Sequence, residues 1–471
     1  MFIYQKVKKS SDEDRISGLS DDILSEILSL LAIKEAVGTC IFSKRWRYVW
    51  TFMHRLEFDS FKDFPSMKSD SFTQMVSQVV TLHKGLNLHE LRILFNSHQD
   101  NSFPHIHRWI AFAILCGTAR IELNLSIFRL LSGFCGHPKV TYAIPPDFFD
   151  RKNKAVDDID HYLKHLDSNS AILISRSGRH FGVDNFFSSV RDLSFTQVYL
   201  NDQDVENILS NCTSLERLHV ETCSTLFSIK HVYHPLKLKC LELFKCWSMT
   251  TLEILAQNLV TFGYRGPKIN IFLKGVRHLV DLTVTTPLIC LDYPKGNSYV
   301  LDQFSCYFSQ LKVLQMEVEA EKAYRNVPEL SNLKLLMFYG EKCSKIENST
   351  LIGITFVIMA SPVLHRFELH LFRHKPCTGS GGKLISKGPH KYLKEVVLSG
   401  FKGLPIEIDF ATYLLDNAIA LEKMEIITSY IYLLGRRWCV AENNNEVHSR
   451  KQAQLFREGL ASNNRSKIVV S

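Results

Sequence analysis

Hydrophobic residues near the start of the chain follow a helical period. Apolar residues recur there at steps of three and four, so that they share one helix face: Ile23, Leu24, Ile27, Leu28 and Leu31. Ser20 stands just before this stripe, where its hydroxyl can accept from the free backbone N–H groups of a helix start. The pattern predicts a helix that begins near residue 20, with an apolar stripe too wide for a lone surface helix.

Two further short helices are predicted behind the first one. One spans 33–42 with Ala36, Val37 and Cys40 facing inward, and the next spans 44–50. Three helices of this size make only a marginal core. Because burial of one Leu or Ile contributes roughly 1.5–3 kcal/mol, the block would gain stability by burying part of its apolar surface on another molecule.

From Leu88 onward the hydrophobic period changes. A short unit of the form apolar-x-x-apolar-x-apolar returns, with copies that begin at Leu88, Leu215, Leu238, Leu259, Leu279, Leu311, Leu333, Leu364, Leu393 and Leu421, and less regular copies near Ile121 and Leu193. From Leu215 the copies are 20 to 32 residues apart, which is typical of leucine-rich repeats. One repeat cannot bury its own apolar face, so each supplies a short strand to a stacked parallel sheet. We therefore predict an α/β fold in which a helical block precedes an irregular leucine-rich-repeat solenoid with a curved sheet.

The segments between the predicted strands are expected to return as helices or irregular chain. Three apolar residues fall on one face of a helix predicted after residue 201: Val205, Ile208 and Leu209. Clusters of Gly and Pro indicate three loops: 263–267, 287–294 and 379–389. The polar segment 126–189 lacks the repeat motif, and its composition is compatible with an irregular repeat, a loop with one helix, or an interruption of the solenoid.

The last repeat carries a sharper pattern than the others. It predicts a strand (393–398), a glycine-containing turn, a helix (408–417) and a second strand (421–427), with Phe401 and Leu404 buried at the turn. We expect this segment to cap the array. A polar loop, a short helix and a final strand or tail follow it.

Composition narrows the function classes. The formal charge of +8 is spread along the 471 residues, and no basic stripe with interleaved aromatic residues is present, so no nucleic-acid partner is expected. The first residues lack the pattern of a secretory signal, and no apolar run approaches the roughly 18 residues that span a bilayer. We therefore expect no membrane partner and a location in the nucleus or cytoplasm. The twelve cysteines include no C-x-x-C pair and no catalytic constellation assembles, so no metal, cofactor or enzymatic activity is expected.

Three stretches of the first block together resemble a known docking domain. DRISGLSDDIL at 14–24, KEAV at 34–37 and SKRWRYVW at 43–50 resemble the F-box of the large plant family that also carries leucine-rich repeats and a C-terminal FBD segment. The resemblance implies that the block binds a Skp-type adaptor and, through it, a cullin. Two positions depart from the pattern, because Ser20 stands where the family usually has proline and Ala32 where it often has a second one. An alternative is a helical cap that seals the end of the following domain.

The resemblance also implies a division of the chain and a set of adaptor contacts. The division is an F-box (14–60), a leucine-rich-repeat solenoid (61–386, irregular over 126–189), an FBD segment (387–440) and a C-terminal tail (441–471). The implied adaptor contacts are Leu19, Ile23, Leu24, Ile27, Leu28, Val37 and Trp46. The chain would then be the non-catalytic substrate-recognition subunit of an SCF-type (Skp–cullin–F-box) ubiquitin ligase. The alternative is a repeat-based ligand- or peptide-binding protein with a degenerate F-box and no ligase role.

The concave face of the sheet is the expected surface for a protein substrate. Side chains alternate along a strand, so the residues between the buried leucines point to that face. The predicted substrate-binding residues are Arg217, His219, Glu242, Phe244, Gln315, Leu335, Met337, Tyr339 and Arg366. Leu335, Met337 and Tyr339 are three apolar residues on the outer side of one strand, where they would suit a partner or be covered by a loop or the FBD cap.

Overall fold

A computed structural model describes most of the chain. The described residues are 16, 18–85, 88–95, 102–126, 142–145, 148–149, 187–231, 236–286, 298–318, 324, 327–340, 348–371, 389–434, 437–441 and 446–471. The chain divides into two compact units, the first made of Met1–Ser126 with Arg151–Val190 and the second of Ile127–Asp150 with Arg191–Ser471. Most of the irregular segment 126–189 and of the loops predicted at 287–294 and 379–389 lies outside the described residues.

Short helices form the start of the first unit. They are α1 (Asp21–Leu28), α2 (Ile33–Gly38) and α3 (Trp46–Val49), and the last two continue as 3-10 turns over Thr39–Ile41 and Trp50–Phe52. The Ser20 hydroxyl accepts from the backbone N–H of Ile23 at 3.5 Å, which confirms the predicted helix start. We refer to residues 19–54 as the docking block.

A parallel sheet continues directly from the docking block. Strand β1 (Arg55–Asp59) pairs with β2 (Glu90–Leu94), which pairs with β3 (Arg120–Asn124), all in parallel. The strand at 55–59 was not predicted, because its sequence lacks the leading leucine of the repeat motif. Helices α4 (Ser69–Leu82) and α5 (Phe103–Leu115) pack together as return segments.

The second unit is built mainly from parallel strands. They are β4 (Asp192–Thr196), β5 (Arg217–Glu221), β6 (Ser228–His231), β7 (Cys240–Phe244), β8 (Thr251–Leu255), β9 (Thr261–Arg265), β10 (Asn270–Lys274), β11 (Asp281–Thr285), β12 (Val313–Glu317), β13 (Leu335–Gly340), β14 (Arg366–Leu371), β15 (Glu395–Ser399), β16 (Lys423–Ile427), β17 (Tyr430–Leu434), β18 (Arg437–Ala441) and β19 (Ile468–Val470). The main sheet takes the order β4-β5-β7-β9-β11-β12-β13-β14-β15-β16-β19. Every repeat motif from Leu193 to Leu421 therefore supplies a strand of this sheet, as predicted.

The register of the main sheet separates its two faces. The second and fourth residues of neighbouring strands align, as in Leu218 with Leu241 and Val220 with Leu243, and these side chains are buried. We call this side the core face. The first, third and fifth residues of each strand align on the other side, which we call the exterior face.

Helices form the return segments where the sequence has a helical period. They are α6 (Asp202–Asn211), α7 (Tyr299–Phe304), α8 (Asn348–Met359), α9 (Pro405–Asn417), α10 (Glu446–Gly459) and α11 (Ser462–Arg465), with a 3-10 turn at Ser305–Gln310. The predicted face of α6 is buried: Val205, Ile208 and Leu209. At its start the Asn201 side chain accepts from the Asp204 N–H at 2.9 Å, and the Asp204 carboxylate accepts from the Asn201 N–H at 2.8 Å.

Three return segments form a second sheet, where helices or irregular chain were expected. Strands β6, β8 and β10 pair in parallel with β8 in the centre. Side chains satisfy backbone groups at both outer strands. The Asp202 carboxylate accepts from the Ser228 N–H at 3.0 Å, and the Gln303 amide oxygen accepts from the Ile271 N–H at 3.2 Å. The Tyr307 hydroxyl donates to a carbonyl of β10 at 3.1 Å. We call these contacts the edge caps.

The predicted loop at 263–267 is wrong in its first half, because β9 continues through Gly263 to Arg265. Glycine is required there for a packing reason. A Cβ at Gly263 would lie 2.9 Å from the Phe244 ring, so the missing side chain leaves room for that aromatic residue.

The C-terminal repeat has the predicted order of strand, turn, helix and strand. Its turn needs glycine, because Gly400 has a φ of +74° and an added Cβ would lie 1.9 Å from the Leu371 carbonyl oxygen. Phe401 is buried as predicted, whereas Leu404 is half-buried. Strand β19 pairs with β16, so the end of the chain is a strand, one of the two alternatives that the sequence left open, and β17 and β18 form an antiparallel hairpin.

Candidate functional site

Large apolar side chains of the docking block are exposed. The Leu30 side chain is 83% exposed and that of Ile41 is 85% exposed. The set that we call the docking residues belongs to α1, the residues after it and the 3-10 turn: Ile23, Ile27, Leu30, Leu31, Ile41 and Phe42. Exposed apolar surface of this kind marks a protein–protein interaction site.

The residues that the sequence implied as adaptor contacts separate into three groups by burial. Leu24, Leu28 and Trp46 are buried in the structure, where they form the core of the block. Ile23 and Ile27 are exposed, and the remaining two, Leu19 and Val37, are intermediate in exposure. The stripe on α1 is two residues wide, and sequence period alone cannot tell which half faces the core.

A charged side chain holds the loop before α1. The Arg45 guanidinium forms an ion pair with Asp21 at 2.7 Å and also donates to the Leu19 carbonyl. These contacts constrain the backbone on both sides of Ser20. A proline at that position would restrict the same backbone by its ring. The Arg45 contacts therefore provide a constraint where the usual proline is absent.

Contacts also fasten the docking block to the first repeat within the same unit. The His54 ring stacks on His89 with a centroid distance of 5.2 Å, and within the block the His54 backbone N–H donates to the Ser29 hydroxyl at 2.9 Å. The His83 ring nitrogen Nε2 lies 2.9 Å from the Met53 carbonyl oxygen, and burial lowers the pKa of His83 to about 4. The block is thus an integral part of the first unit.

The predicted substrate-binding residues all lie on the exterior face of the main sheet. The register places His219 beside Glu242, and Gln315 beside Met337. Their exposure differs, however. His219, Phe244, Gln315 and Tyr339 are buried; Glu242, Leu335 and Met337 are half-buried; Arg217 and Arg366 are exposed.

Neighbouring side chains on the exterior face explain the burial of Tyr339. The Arg265 guanidinium lies over its ring at 5.5 Å from the centroid, and the His370 ring lies 6.2 Å away. The apolar set predicted on this strand is therefore reduced to Leu335 and Met337. Among the described residues, Arg265 and His370 of the same sheet lie against Tyr339.

Ion pairs neutralise most carboxylates of the exterior face. Burial opposes ionisation of Glu221, but Lys245 at 2.7 Å and His219 outweigh it and lower the pKa of Glu221 to about 2. Arg366 pairs with Glu368 at 2.6 Å and with Glu395 at 2.5 Å. These ion pairs lie on either side of the central strands of the face, one joining β5 to the residue after β7 and the other joining β14 to β15.

Asp281 differs from the other acidic residues of the exterior face. Burial raises the pKa of this carboxyl to about 6, and the nearby Glu242 carboxylate contributes. Among the residues that the structure describes, none forms an ion pair or a side-chain hydrogen bond with Asp281. The period of two in the motif places Asp281 on this face, but no sequence signal shows that it is unpaired.

The described residues hold neither a metal-binding cluster nor a membrane-spanning helix. No group of three or more His, Cys, Asp or Glu side chains is placed to hold a metal ion within the described ranges. No helix in that part of the chain has the length and apolar composition to cross a membrane.

The fold and site together define a class of protein: a helical docking block followed by a leucine-rich-repeat array. The F-box domain model matches residues 16–57, and the model described as At1g61320/AtMIF1, LRR domain matches residues 79–467. The chain belongs to the plant F-box/LRR-repeat family. F-box domains in general bind Skp-type adaptors, and members of this family are typically non-catalytic adaptors.

Individual relatives come from Arabidopsis thaliana. The putative F-box/LRR-repeat protein At3g18150 is 25% identical over 455 residues, which is 91% of this chain and 90% of the relative. The F-box/FBD/LRR-repeat protein At2g04230 is 31% identical over 226 residues, 47% of this chain and 45% of the relative. F-box/LRR-repeat protein 25 is 28% identical over 249 residues, 53% of this chain and 78% of the relative. The similarity thus includes relatives named for all three segments, F-box, FBD and repeats.

Proposed function

We propose that the chain is the substrate-recognition subunit of an SCF-type ubiquitin ligase. The observation that carries this proposal is the exposed apolar set of docking residues on a block that the F-box model matches. The block binds a Skp-type adaptor and through it a cullin, while the repeats bind a protein substrate. Tethering substrate and ubiquitin-loaded enzyme in one assembly makes the transfer effectively intramolecular, so no residue of this chain has to act as an acid, base or nucleophile.

The adaptor contacts are divided by burial. Ile23 and Ile27, together with Leu19 and Val37, make direct contact, and Leu30, Ile41 and Phe42 extend the interface. Leu24, Leu28 and Trp46 act indirectly, because they pack behind α1 and fix the position of the contact residues. The division of the chain at residues 60, 386 and 440, and a location in the nucleus or cytoplasm, remain part of this proposal.

A second candidate function is a repeat-based ligand- or peptide-binding protein with no ligase role. Ser20, in place of the usual proline, favours it. The Arg45 contacts with Asp21 and Leu19 favour the ligase function, because they constrain the same loop. Binding of the adaptor separates the two functions directly.

A substitution that introduces a charge among the docking residues tests the proposal. We expect Ile27→Asp to weaken adaptor binding by more than about 100-fold, because a carboxylate would be buried without a partner in an apolar interface. Binding is measured by co-purification and calorimetry with a plant Skp-type adaptor. Val447→Asp on α10 is the matched control, since that side chain is 87% exposed and lies outside the docking block.

The possible outcomes lead to different conclusions. Folded wild-type protein that forms no complex with the adaptor would contradict the ligase function and leave the second candidate. Retained binding by Ile27→Asp, with wild-type binding intact, would show that the docking residues are assigned wrongly. Circular dichroism of each variant establishes that the chain is folded in both cases.

A further inference from the structure

An apolar patch lies on the exterior face at the centre of the main sheet. Val313 on β12 is in register with Leu335 on β13, and Met337 lies two residues further along β13 on the same side. All three side chains are half-buried, so each still offers apolar surface to a ligand. We call Val313, Leu335 and Met337 the central patch.

Asp281 borders the central patch on one side. It is in register with Val313, so only one strand spacing separates them. Its carboxylate is half-buried and, within the described residues, has neither an ion pair nor a side-chain hydrogen bond. Other acidic side chains of this face do have basic partners: Glu221 with Lys245, Glu242 with His219, Glu368 and Glu395 with Arg366, and Glu425 with Lys423.

The surroundings of Asp281 favour a cation. Burial and the Glu242 carboxylate both disfavour the ionised form of Asp281, which raises its pKa to about 6. Glu242 is itself 3.1 Å from the His219 ring nitrogen Nδ1, and that histidine also lies 3.7 Å from Glu221. A positive charge placed beside Asp281 would relieve the repulsion between the two carboxylates and would pair with an otherwise unpaired group.

The charged residue at the opposite border of the central patch already has ion-pair partners. Arg366 is in register with Leu335, and its guanidinium is already shared between Glu368 and Glu395. Burial lowers and these two carboxylates raise the pKa of Arg366, with a net increase. A ligand therefore meets an unpaired carboxylate at one side of the patch and a neutralised group at the other.

We propose that the exterior face from β11 to β13 binds an extended peptide segment of the substrate, with a basic side chain on Asp281 and an apolar side chain on Leu335 and Met337. This inference rests on the proposed function for its biological meaning, although peptide binding itself does not depend on the adaptor. Strands of a sheet are about 4.8 Å apart, so β11 and β13 are separated by about 10 Å. An extended peptide in the polyproline II conformation has three residues per turn and rises about 3.1 Å per residue, so residues i and i+3 face the sheet together at a separation of about 9 Å. The expected motif is a Lys or Arg three residues from a Leu, Met or Phe.

Synthetic peptides of defined spacing test the proposal. The probes are fluorescent peptides of about 12 residues in a Gly/Ser background, each with one Arg and one Leu separated by one to six positions. They are titrated against the full chain, alone and in complex with the adaptor. We expect the tightest binding at a separation of about three, and a roughly tenfold loss when Gln replaces Arg in that peptide.

Two variants assign the basic and apolar positions to residues. Asp281→Asn should abolish the preference for Arg over Gln and keep the preference for Leu over Ser. Leu335→Ser should have the reverse effect. Glu425→Gln is the matched control, because it removes a carboxylate of the same face that is already paired with Lys423, and it should leave both preferences unchanged.

Acidification gives a second readout without a variant. Because the pKa of Asp281 is about 6, the preference for Arg should weaken between pH 7.5 and pH 5 in the wild type and stay absent in Asp281→Asn. A preference for Arg that survives in Asp281→Asn, or no dependence on peptide spacing, would overturn the proposal. Peptide selectivity without adaptor binding would instead contradict the ligase function and leave this inference standing.

Discussion

Charged side chains are paired differently on the exterior faces of the sheets in the two units. On β1 to β3, arginine and glutamate alternate in both directions: Arg55, Glu90 and Arg120 form one row, and Glu57, Arg92 and Glu122 form the next. Arg92 pairs with Glu57 at 2.9 Å and with Glu122 at 2.8 Å, and Arg55 pairs with Glu90 at 3.2 Å. On the second unit the same strand positions hold the central patch and Asp281, which has no ion pair among the described residues.

This difference indicates that the two sheet faces have different roles. The arginines and glutamates of β1 to β3 already pair with one another, which leaves little electrostatic gain for a ligand and suits these strands to supporting the docking block. A face with apolar groups and a carboxylate that has no ion pair among the described residues gains from binding, and such groups confer specificity more than affinity.

Reversal of the central charge is expected to have the largest effect on the first unit. Arg92→Glu would place a third carboxylate in one row, between Glu57 and Glu122, and should destabilise the unit by about 3 kcal/mol. Arg92→Met, which removes the attraction without adding a negative charge, should cost less. Urea denaturation followed by hydrogen exchange of the β2 amides measures both variants. Equal losses for the two would show that the alternation of charge is not what matters there.

Acid should destabilise the first unit through His83. Burial lowers the pKa of this ring to about 4, whereas the unfolded chain titrates near 6.5, so the folded state favours the neutral form. That contribution is fully present above pH 6.5 and is lost as the pH falls toward 4. At pH 5 the loss should be on the order of 2 kcal/mol. His83→Gln should flatten the dependence on pH of exchange in β1 to β3, and an unchanged slope would assign the effect to other groups.

Asp281 should give the second unit the opposite, smaller response. Its pKa is raised from 3.8 to about 6 in the folded state, so the carboxyl contributes stability below pH 3.8 that is lost as the pH rises through 6. Asp281→Asn should therefore stabilise the second unit at pH 7.5 by about 1 kcal/mol, since solvent screens a half-buried group. The gain should shrink toward pH 4.5. A gain that is independent of pH would mean that the variant acts through packing and not through ionisation.

The repeat motif was the strongest sequence signal because it reports burial directly. Its leucines are the residues that face the core, and the spacing of copies fixes the order of parallel strands. The strand at 55–59 and the three strands of the small sheet were missed for a related reason. Their buried apolar residues alternate, as Leu252 and Ile254 do in TLEIL at 251–255, but the full motif with its leading leucine is missing, so pattern alone cannot tell these strands from a return segment.

The candidate sites were harder to predict than the fold. Period places Ile23 and Leu24 on the same stripe, yet only packing decides that Leu24 is buried and Ile23 is exposed. Period likewise places Tyr339 and Asp281 on the exterior face. Contacts between strands that are far apart in sequence decide whether Arg265 covers Tyr339 and whether a basic side chain reaches Asp281.

The edge caps of the small sheet have a consequence for the behaviour of this chain in solution. An outer strand with free N–H and C=O groups can recruit a strand from another molecule and start aggregation. Asp202 on one side, and Gln303 with Tyr307 on the other, occupy hydrogen-bonding groups that a foreign strand would need. Return segments that are strands instead of helices create such sheet edges, and these side chains protect them from strand pairing with another molecule. We expect loss of the three polar side chains to cause self-association first.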